Sequence, residues 1–144
     1  MRNLEIHPLG DLAAIERNTI APSAIQSGTT YVGLENIESD GGFKGVKPVD
    51  SGDLASSKFR FTNEHILFGK LRPYLRKIAA PDFSGICSTD ILPIKPGPRL
   101  EGRFLLHYLR QPKITEFFSS QSVGVNLPRV SPRLVAAVKI PLPP

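Results

Sequence analysis

Proline and glycine interrupt this chain so often that long regular elements are excluded. The 144 residues include 14 prolines and 12 glycines, and the proline content is roughly twice the average usage of about 5%. Proline cannot continue the interior of a helix, and both residues favour turns. Hydrophobic residues still make up 40% of the sequence, which is enough for one buried core at this length. We therefore expect a single domain, residues 1–144, built from short elements.

Local patterns place most strands before the helices. After an N-terminal region (1–27) that indicates one strand and a turn, β-branched, aromatic and alternating residues predict further strands. These cover residues 29–37, 57–62, 66–68, 76–79 and 84–94. Helical spacing of apolar residues, or a serine followed by proline, predicts helices at 102–109, around 114–118 and at 131–137. Strands followed by helices favour an α+β fold, with a mixed, strongly twisted β-sheet flanked by short helices.

Two local details bear on a binding surface. In the sequence SKFRFT (57–62), phenylalanine and cationic residues alternate. Because side chains alternate across a strand, Phe59 and Phe61 should face inward and both Lys58 and Arg60 outward. Proline disfavours helical backbone in the residue before it, so Arg72, which precedes Pro73, should be extended.

Charge is distributed unevenly along the chain. The net charge is +5, but residues 1–57 hold eight acidic and four basic residues, whereas residues 58–144 hold five acidic and 14 basic residues. A basic region of this size favours a polyanionic partner. The second part of the chain is therefore where we expect such a partner, and a nucleic acid is one candidate. Charge alone leaves open the alternative of a basic domain that binds no nucleic acid.

Motifs for catalysis, metal binding and membrane insertion are missing from the sequence. It has no glycine-rich phosphate loop, no H-E-x-x-H, no G-x-S-x-G, and three widely separated histidines. The lone Cys87 lies among strand residues and fits a small core residue better than a nucleophile. No apolar run approaches the ~20 residues of a membrane span. We expect no catalytic residue, no metal site, no membrane partner and a cytoplasmic location.

Two alternatives stay open at this stage. A small nuclease or methyltransferase fragment with its own catalytic site would need Asp82, Asp90 and Glu101 to cluster around a pocket. A protein-interaction module could use the 140–144 tail and the apolar helix faces at 103–120, and this role is compatible with DNA binding.

The candidate DNA-binding residues centre on one turn. Lysine and arginine surround Pro73 and Tyr74 in the sequence KLRPYLRK (70–77). Arginine can match two acceptors at once on a phosphate or on a guanine edge, and an exposed tyrosine can stack or donate a hydrogen bond. The full set of candidates is Lys44, Lys58, Arg60, Lys70, Arg72, Tyr74, Arg76, Lys77 and Arg129.

Several segments, in order, resemble the target recognition domain of type I restriction-modification specificity subunits. They are YVGLENI (31–37), ILFGKLRPYL (66–75), CSTDILPI (87–94), and a tail of Gly124, PRVS (128–131), Leu134 and IPLPP (140–144). The resemblance extends from about Leu9 to Pro144. No single motif is decisive, and the order of the four carries the identification.

This resemblance implies a non-catalytic domain that recognises one half of a bipartite DNA sequence. Its fold would be similar to the specificity domain of adenine-specific DNA methylases. The partners implied are double-stranded DNA, methyltransferase and restriction subunits, and a second recognition half. No cofactor is expected in this chain, because the methyltransferase subunits would bring S-adenosylmethionine and the restriction subunit ATP and magnesium. The chain ends where the family's spacer helix would begin, so we expect a single recognition half without that helix. The family's base-contacting residues lie in variable loops, so the resemblance assigns none here.

Overall fold

The structure is a computed structural model and describes residues 4–143. Residues 1–3 and Pro144, the last residue of the predicted tail, lie outside the described residues. The strands are β1 (Glu5–Pro8), β2 (Ala13–Ile15), β3 (Thr19–Ile20), β4 (Thr29–Val32), β5 (Lys47–Val49), β6 (Lys58–Phe61), β7 (Ile66–Gly69), β8 (Ile78–Ala79), β9 (Gly85–Cys87), β10 (Ile91–Pro96) and β11 (Lys139–Leu142). The helices are α1 (Leu9–Leu12), α2 (Gly102–Leu109), α3 (Pro112–Gln121) and α4 (Pro132–Ala137). Short 3-10 turns cover Pro22–Ala24, Leu34–Asn36 and Pro73–Leu75.

The strands form three sheets that share one core. A four-stranded antiparallel sheet has the order β2-β10-β7-β8, and a five-stranded sheet has the order β3-β6-β9-β4-β5. The five-stranded sheet is mixed, because β4 and β9 run parallel while its other pairs are antiparallel. The predicted α+β fold with a mixed sheet and short helices is confirmed, although the strands divide between sheets.

The third sheet joins the two ends of the described chain. Strands β1 and β11 pair antiparallel, with Glu5 opposite Leu142. Helix α1 follows β1 directly and packs on α4, and the Leu9 amide donates to the carbonyl of Val138 at 2.8 Å. The expectation of one strand and a turn for residues 1–27 was therefore incomplete, since this region contains three strands and a helical turn.

One predicted strand ends earlier than expected, and another is divided in two. Strand β4 stops at Val32 because the Gly33 amide donates to the Asn36 side chain at 2.8 Å and closes a 3-10 turn. The predicted strand 84–94 is two strands, β9 and β10, which belong to different sheets. At the turn between them the Asp90 amide donates to Ser88 Oγ at 3.1 Å.

Aromatic rings and aliphatic strands fill the core. Strand β7 and the first four residues of β10 are buried throughout, as expected for central strands. Phe59 and Phe61 are buried, which confirms their inward orientation. Phe61 makes an edge contact with Phe83, with ring centroids 5.7 Å apart. None of the helices within residues 4–143 has the length and apolar character needed to span a lipid bilayer.

Candidate nucleic-acid interface

The cationic turn after β7 has a constrained backbone. Arg72 and Arg76 flank the Pro73–Leu75 3-10 turn, and both are left-handed, with φ of 50° and 49°. The prediction that Arg72 is extended was wrong. Its amide donates to the carbonyl of Pro128 at 2.7 Å, a tertiary contact that offsets the roughly 1–2 kcal/mol this conformation costs a residue with a Cβ. The side chains of the turn are therefore presented by a fixed backbone.

A hairpin of residues 123–129, called the 123–129 hairpin below, lies against this turn. Val123 and Arg129 exchange two backbone hydrogen bonds of 2.9 Å. Its second arm pairs with Leu71, and the Val130 amide donates to the Lys70 carbonyl at 3.1 Å. Gly124 has φ of 115°, and a Cβ there would lie 3.0 Å from the Leu127 carbonyl oxygen, so this position requires glycine. The turn and the hairpin form one unit.

Two guanidinium groups brace the hairpin. Arg72 Nη2 donates to the Asn126 carbonyl at 3.3 Å. Arg129 contacts both oxygens of Asp90, through Nε at 2.7 Å and Nη2 at 3.3 Å. The hydrogen bond to Asp90, followed by its charge, raises the pKa of Arg129. Among the nine candidates, Arg129 alone pairs with a carboxylate within the described chain. Its positive charge is therefore balanced, whereas the positive charges of the other candidate cations are not.

Arg76 and Lys77 connect the turn to a neighbouring loop. Arg76 Nη1 donates to the Arg110 carbonyl at 3.3 Å, and Arg110 Nη1 donates back to the Arg76 carbonyl at 3.1 Å. Arg110 also reaches the Ser39 carbonyl at 2.6 Å, which fixes the loop that carries Lys44. Burial, and then the charge of Arg76, lowers the pKa of Arg110. The Lys77 ammonium donates to the Leu34 carbonyl at 2.8 Å. Arg110 was not among the predicted site residues, because nothing in the helix pattern distinguishes it from other surface arginines.

Lys58 and Arg60 lie apart from the turn, on β6 of the five-stranded sheet. The prediction that both point outward was wrong for Lys58, which is buried. Its ammonium donates to Ser56 Oγ at 2.6 Å and to the Ser56 carbonyl at 3.0 Å, so it holds the chain before β6. Arg60 is exposed and lines a shallow cleft with Gln26 and Thr62. No hydrogen bond among the described residues connects these two cations to the turn.

The candidate residues therefore differ in how free their charged groups are. Within residues 4–143 the side chains of Lys44, Arg60 and Lys70 make no hydrogen bond or ion pair, and Tyr74 is exposed with an unbonded hydroxyl. Arg72 makes a single contact with its guanidinium and has donors left over. Lys70, Arg72, Tyr74, Arg76, Lys77 and Arg129 are brought together, and the Ser39–Arg110 contact ties the Lys44 loop to them. The assignment of all nine to DNA contact stays a prediction.

The acidic residues of the catalytic alternative do not form a site. Asp90 is held by Arg129, as described above, and Asp82 is exposed elsewhere on the surface. Glu101 lines a cleft with Arg99 and Phe104, and neither Asp82 nor Asp90 lines that cleft. Across residues 4–143, no group of three or more His, Cys, Asp or Glu residues is placed to hold a metal ion. Nothing in the geometry favours a catalytic site in this region.

Cys87 is enclosed in the core, and its thiol should be unreactive in the folded protein. It is fully buried, and burial raises the pKa of its thiol to about 12. At pH 8 we expect the native chain to react with Ellman's reagent only as fast as it unfolds, and one thiol to react at once in guanidinium chloride. Rapid labelling without denaturant would contradict this.

Because the folded state keeps a proton that the unfolded thiol loses, the free energy of unfolding should also fall as the pH rises from about 9 towards 12.

Comparisons with known proteins agree on one class. No protein-family model matches the sequence. The chain is 27% identical over 117 residues to the type I restriction enzyme EcoDI specificity subunit of Escherichia coli, which covers 81% of this chain and 26% of that protein. The chain spans about a quarter of that relative's length.

Solved structures cover almost the whole chain. A chain from a structure of the assembly and conformational transition of a type I R-M system matches with a TM-score of 0.84 and 28% identity, over 98% of this chain and 38% of that one. The HsdS subunit of Thermoanaerobacter tengcongensis matches with a TM-score of 0.82 and 27% identity, over the same shares. The S subunit from M. genitalium, at 13% identity and a TM-score of 0.62, shows a shared fold alone. The resemblance to a target recognition domain, predicted from the sequence, is confirmed.

Proposed function

We propose that this chain recognises one half of a bipartite sequence in double-stranded DNA, as the target recognition domain of a type I restriction-modification specificity subunit. The observation that carries the proposal is the match of 98% of the chain to 38% of an HsdS subunit and to 38% of a chain from a type I R-M system. The joined turn and 123–129 hairpin supply a compatible surface, because cations on a fixed backbone are presented at one place.

The contacts of each cation indicate whether it is suited to bind phosphate or to position the turn. Lys70 and Lys44 have unengaged ammonium groups, and Arg72 has unengaged donors, which suits them to phosphate oxygens. Phosphate contacts give affinity and register, whereas base choice needs groups that reach base edges in a groove. Arg76, Arg110 and Lys77 donate to backbone carbonyls, so their main contribution is to hold the turn in place.

The proposal extends to partners and cofactors. This chain would contribute recognition without catalysis, together with methyltransferase and restriction subunits and a second recognition half. S-adenosylmethionine would then be bound by the methyltransferase subunit, and ATP and magnesium by the restriction subunit. The complex would act in the cytoplasm.

A salt titration combined with selection from a randomised duplex library tests the proposal. Binding of the full chain should weaken steeply as salt rises. Each neutralised phosphate makes the slope of log K against log salt more negative by about 0.9. The library should be enriched in one short half-site of a few base pairs. Binding that ignores salt, with no enrichment after selection at low salt, would contradict the proposal.

A further inference from the structure

The 123–129 hairpin exposes apolar side chains that the fold leaves without a partner. Val123, Val125 and Leu127 are 79%, 96% and 47% exposed. They alternate with Gly124 and Asn126, and the Asn126 side-chain amide makes no hydrogen bond within the described chain. Exposed apolar residues grouped on one projecting element mark a site of contact with another molecule.

The hairpin is held in place at its base and in its loop. The Val123–Arg129 pair, the Arg72 contact to Asn126 and the required glycine at position 124 all fix its shape. An element that is already ordered loses less conformational entropy when it binds. The loop should therefore bind its partner in one defined arrangement and lose little conformational entropy.

Charge around the hairpin selects the kind of partner. Lys70 lies at the base of the hairpin, where its carbonyl accepts from the Val130 amide, and Arg72 contacts the Asn126 carbonyl in the loop. Asp90, the acidic residue at this place, is paired with Arg129. Double-stranded DNA combines outer phosphates with base edges inside a groove, so it matches cations beside the loop and apolar groups on it. Residues 124–128 form the loop that the single Val123–Arg129 bridge closes. The thymine methyl group, the apolar group of the base edges, is displayed in the major groove, so this is the groove that the exposed apolar residues of the loop fit.

We infer that the 123–129 hairpin enters the major groove and recognises A·T pairs, with Val125 against a thymine methyl group and the Asn126 amide on an adenine edge. These are the contacts that an aliphatic side chain and an asparagine make with base edges. The inference rests on the proposed DNA-binding function and names the element that supplies base choice. Lys70 and Arg72 hold the flanking phosphates.

Library selection with matched variants tests the inference. Asn126→Ala should lose about 5- to 150-fold of the preference for A·T at one position of the selected site, the range for a bidentate contact. Val125→Ala should weaken the preference for thymine at a neighbouring position. The affinity of both variants for unselected duplex should stay within about twofold of the parent, because phosphate contacts are unchanged. Ile6→Ala is the control, since Ile6 is 65% exposed on β1, and it should select the same site as the parent.

A base substitution gives a second readout. Replacing thymine by uracil in the selected duplex removes only the methyl group, so the parent chain should bind it more weakly. The Val125→Ala variant, which keeps only the Cβ methyl group, should show a smaller difference between the two duplexes than the parent.

The outcomes separate the two claims. If the parent selects a site and both hairpin variants select it with the same ratios, the inference is wrong and the proposed function stands. The same holds if the variants change only the oligomeric state, which would assign the hairpin to contact between copies of the chain. If the parent itself selects no site, the proposed function fails and the inference with it.

Discussion

Replacing Phe61 by alanine is expected to lower the free energy of unfolding by about 3–5 kcal/mol. Phe61 is 2% exposed in the centre of the core and loses its edge contact with Phe83 when truncated. The surrounding side chains come from two sheets and cannot collapse into the space without moving strands, so most of the cavity should remain. A loss of this size is a large part of the stability of a domain of this length.

Urea denaturation followed by circular dichroism measures the effect. The control is Phe104→Ala, which removes the same ring from an exposed position on α2 and should cost far less. Equal losses for the two variants would show that Phe61 does not belong to the core, and the inward register of β6 would then be wrong.

Replacing Arg72 by alanine is expected to weaken binding to any duplex by about 1.5–3 kcal/mol, the range for a hydrogen bond to a charged group. This corresponds to roughly a 10- to 150-fold increase in Kd. The weakening should appear with unselected duplexes, and the selected site should lose more because Arg72 also holds the hairpin at Asn126. The negative slope of log K against log salt should become shallower by about 1, as for a phosphate contact. Fluorescence anisotropy with labelled duplexes at several salt concentrations gives both quantities.

Two further variants control for charge and for backbone strain. Arg99→Ala also removes an exposed guanidinium, but Arg99 pairs with Glu5 beside β1, so binding should hardly change. Arg72→Gly removes the side chain and relieves the left-handed backbone at φ of 50°, so it should bind as weakly as the alanine variant without loss of stability. Unchanged affinity in both Arg72 variants would remove this residue from the contact surface.

The fold was predictable where a local pattern and the tertiary structure agree. The alternation of SKFRFT gave the correct facing of Phe59 and Phe61, and the serine before Pro132 caps α4 as expected, accepting from the Leu134 amide at 3.1 Å. Prediction failed where a side chain competes with the backbone, as at Asn36, or where consecutive strands leave for different sheets, as at Ser88. The Asn36 and Ser88 contacts are local, but the division of β9 and β10 between two sheets depends on strands distant in the chain.

The candidate site was predictable in part, where the local sequence pattern persists in the fold. A run of lysine and arginine around Pro73 is visible in the sequence, and the structure keeps it as one turn. The burial of Lys58 was not visible, because its ammonium is satisfied by the irregular segment before β6. The 123–129 hairpin did carry a signal, since apolar residues alternate with glycine, asparagine and proline, as in a short hairpin. Nothing in the sequence showed that its apolar positions face solvent.

The pairing of β1 with β11 places the beginning and the end of the described chain side by side, with Glu5 opposite Leu142. A domain closed in this way can be spliced into a host polypeptide at a single point, because the host segments before and after it need not be separated. It should also accept new termini. A short glycine-serine connection from residue 143 to residue 4, with the chain opened at the exposed turn around Gly52, should yield a circular permutant with the same core.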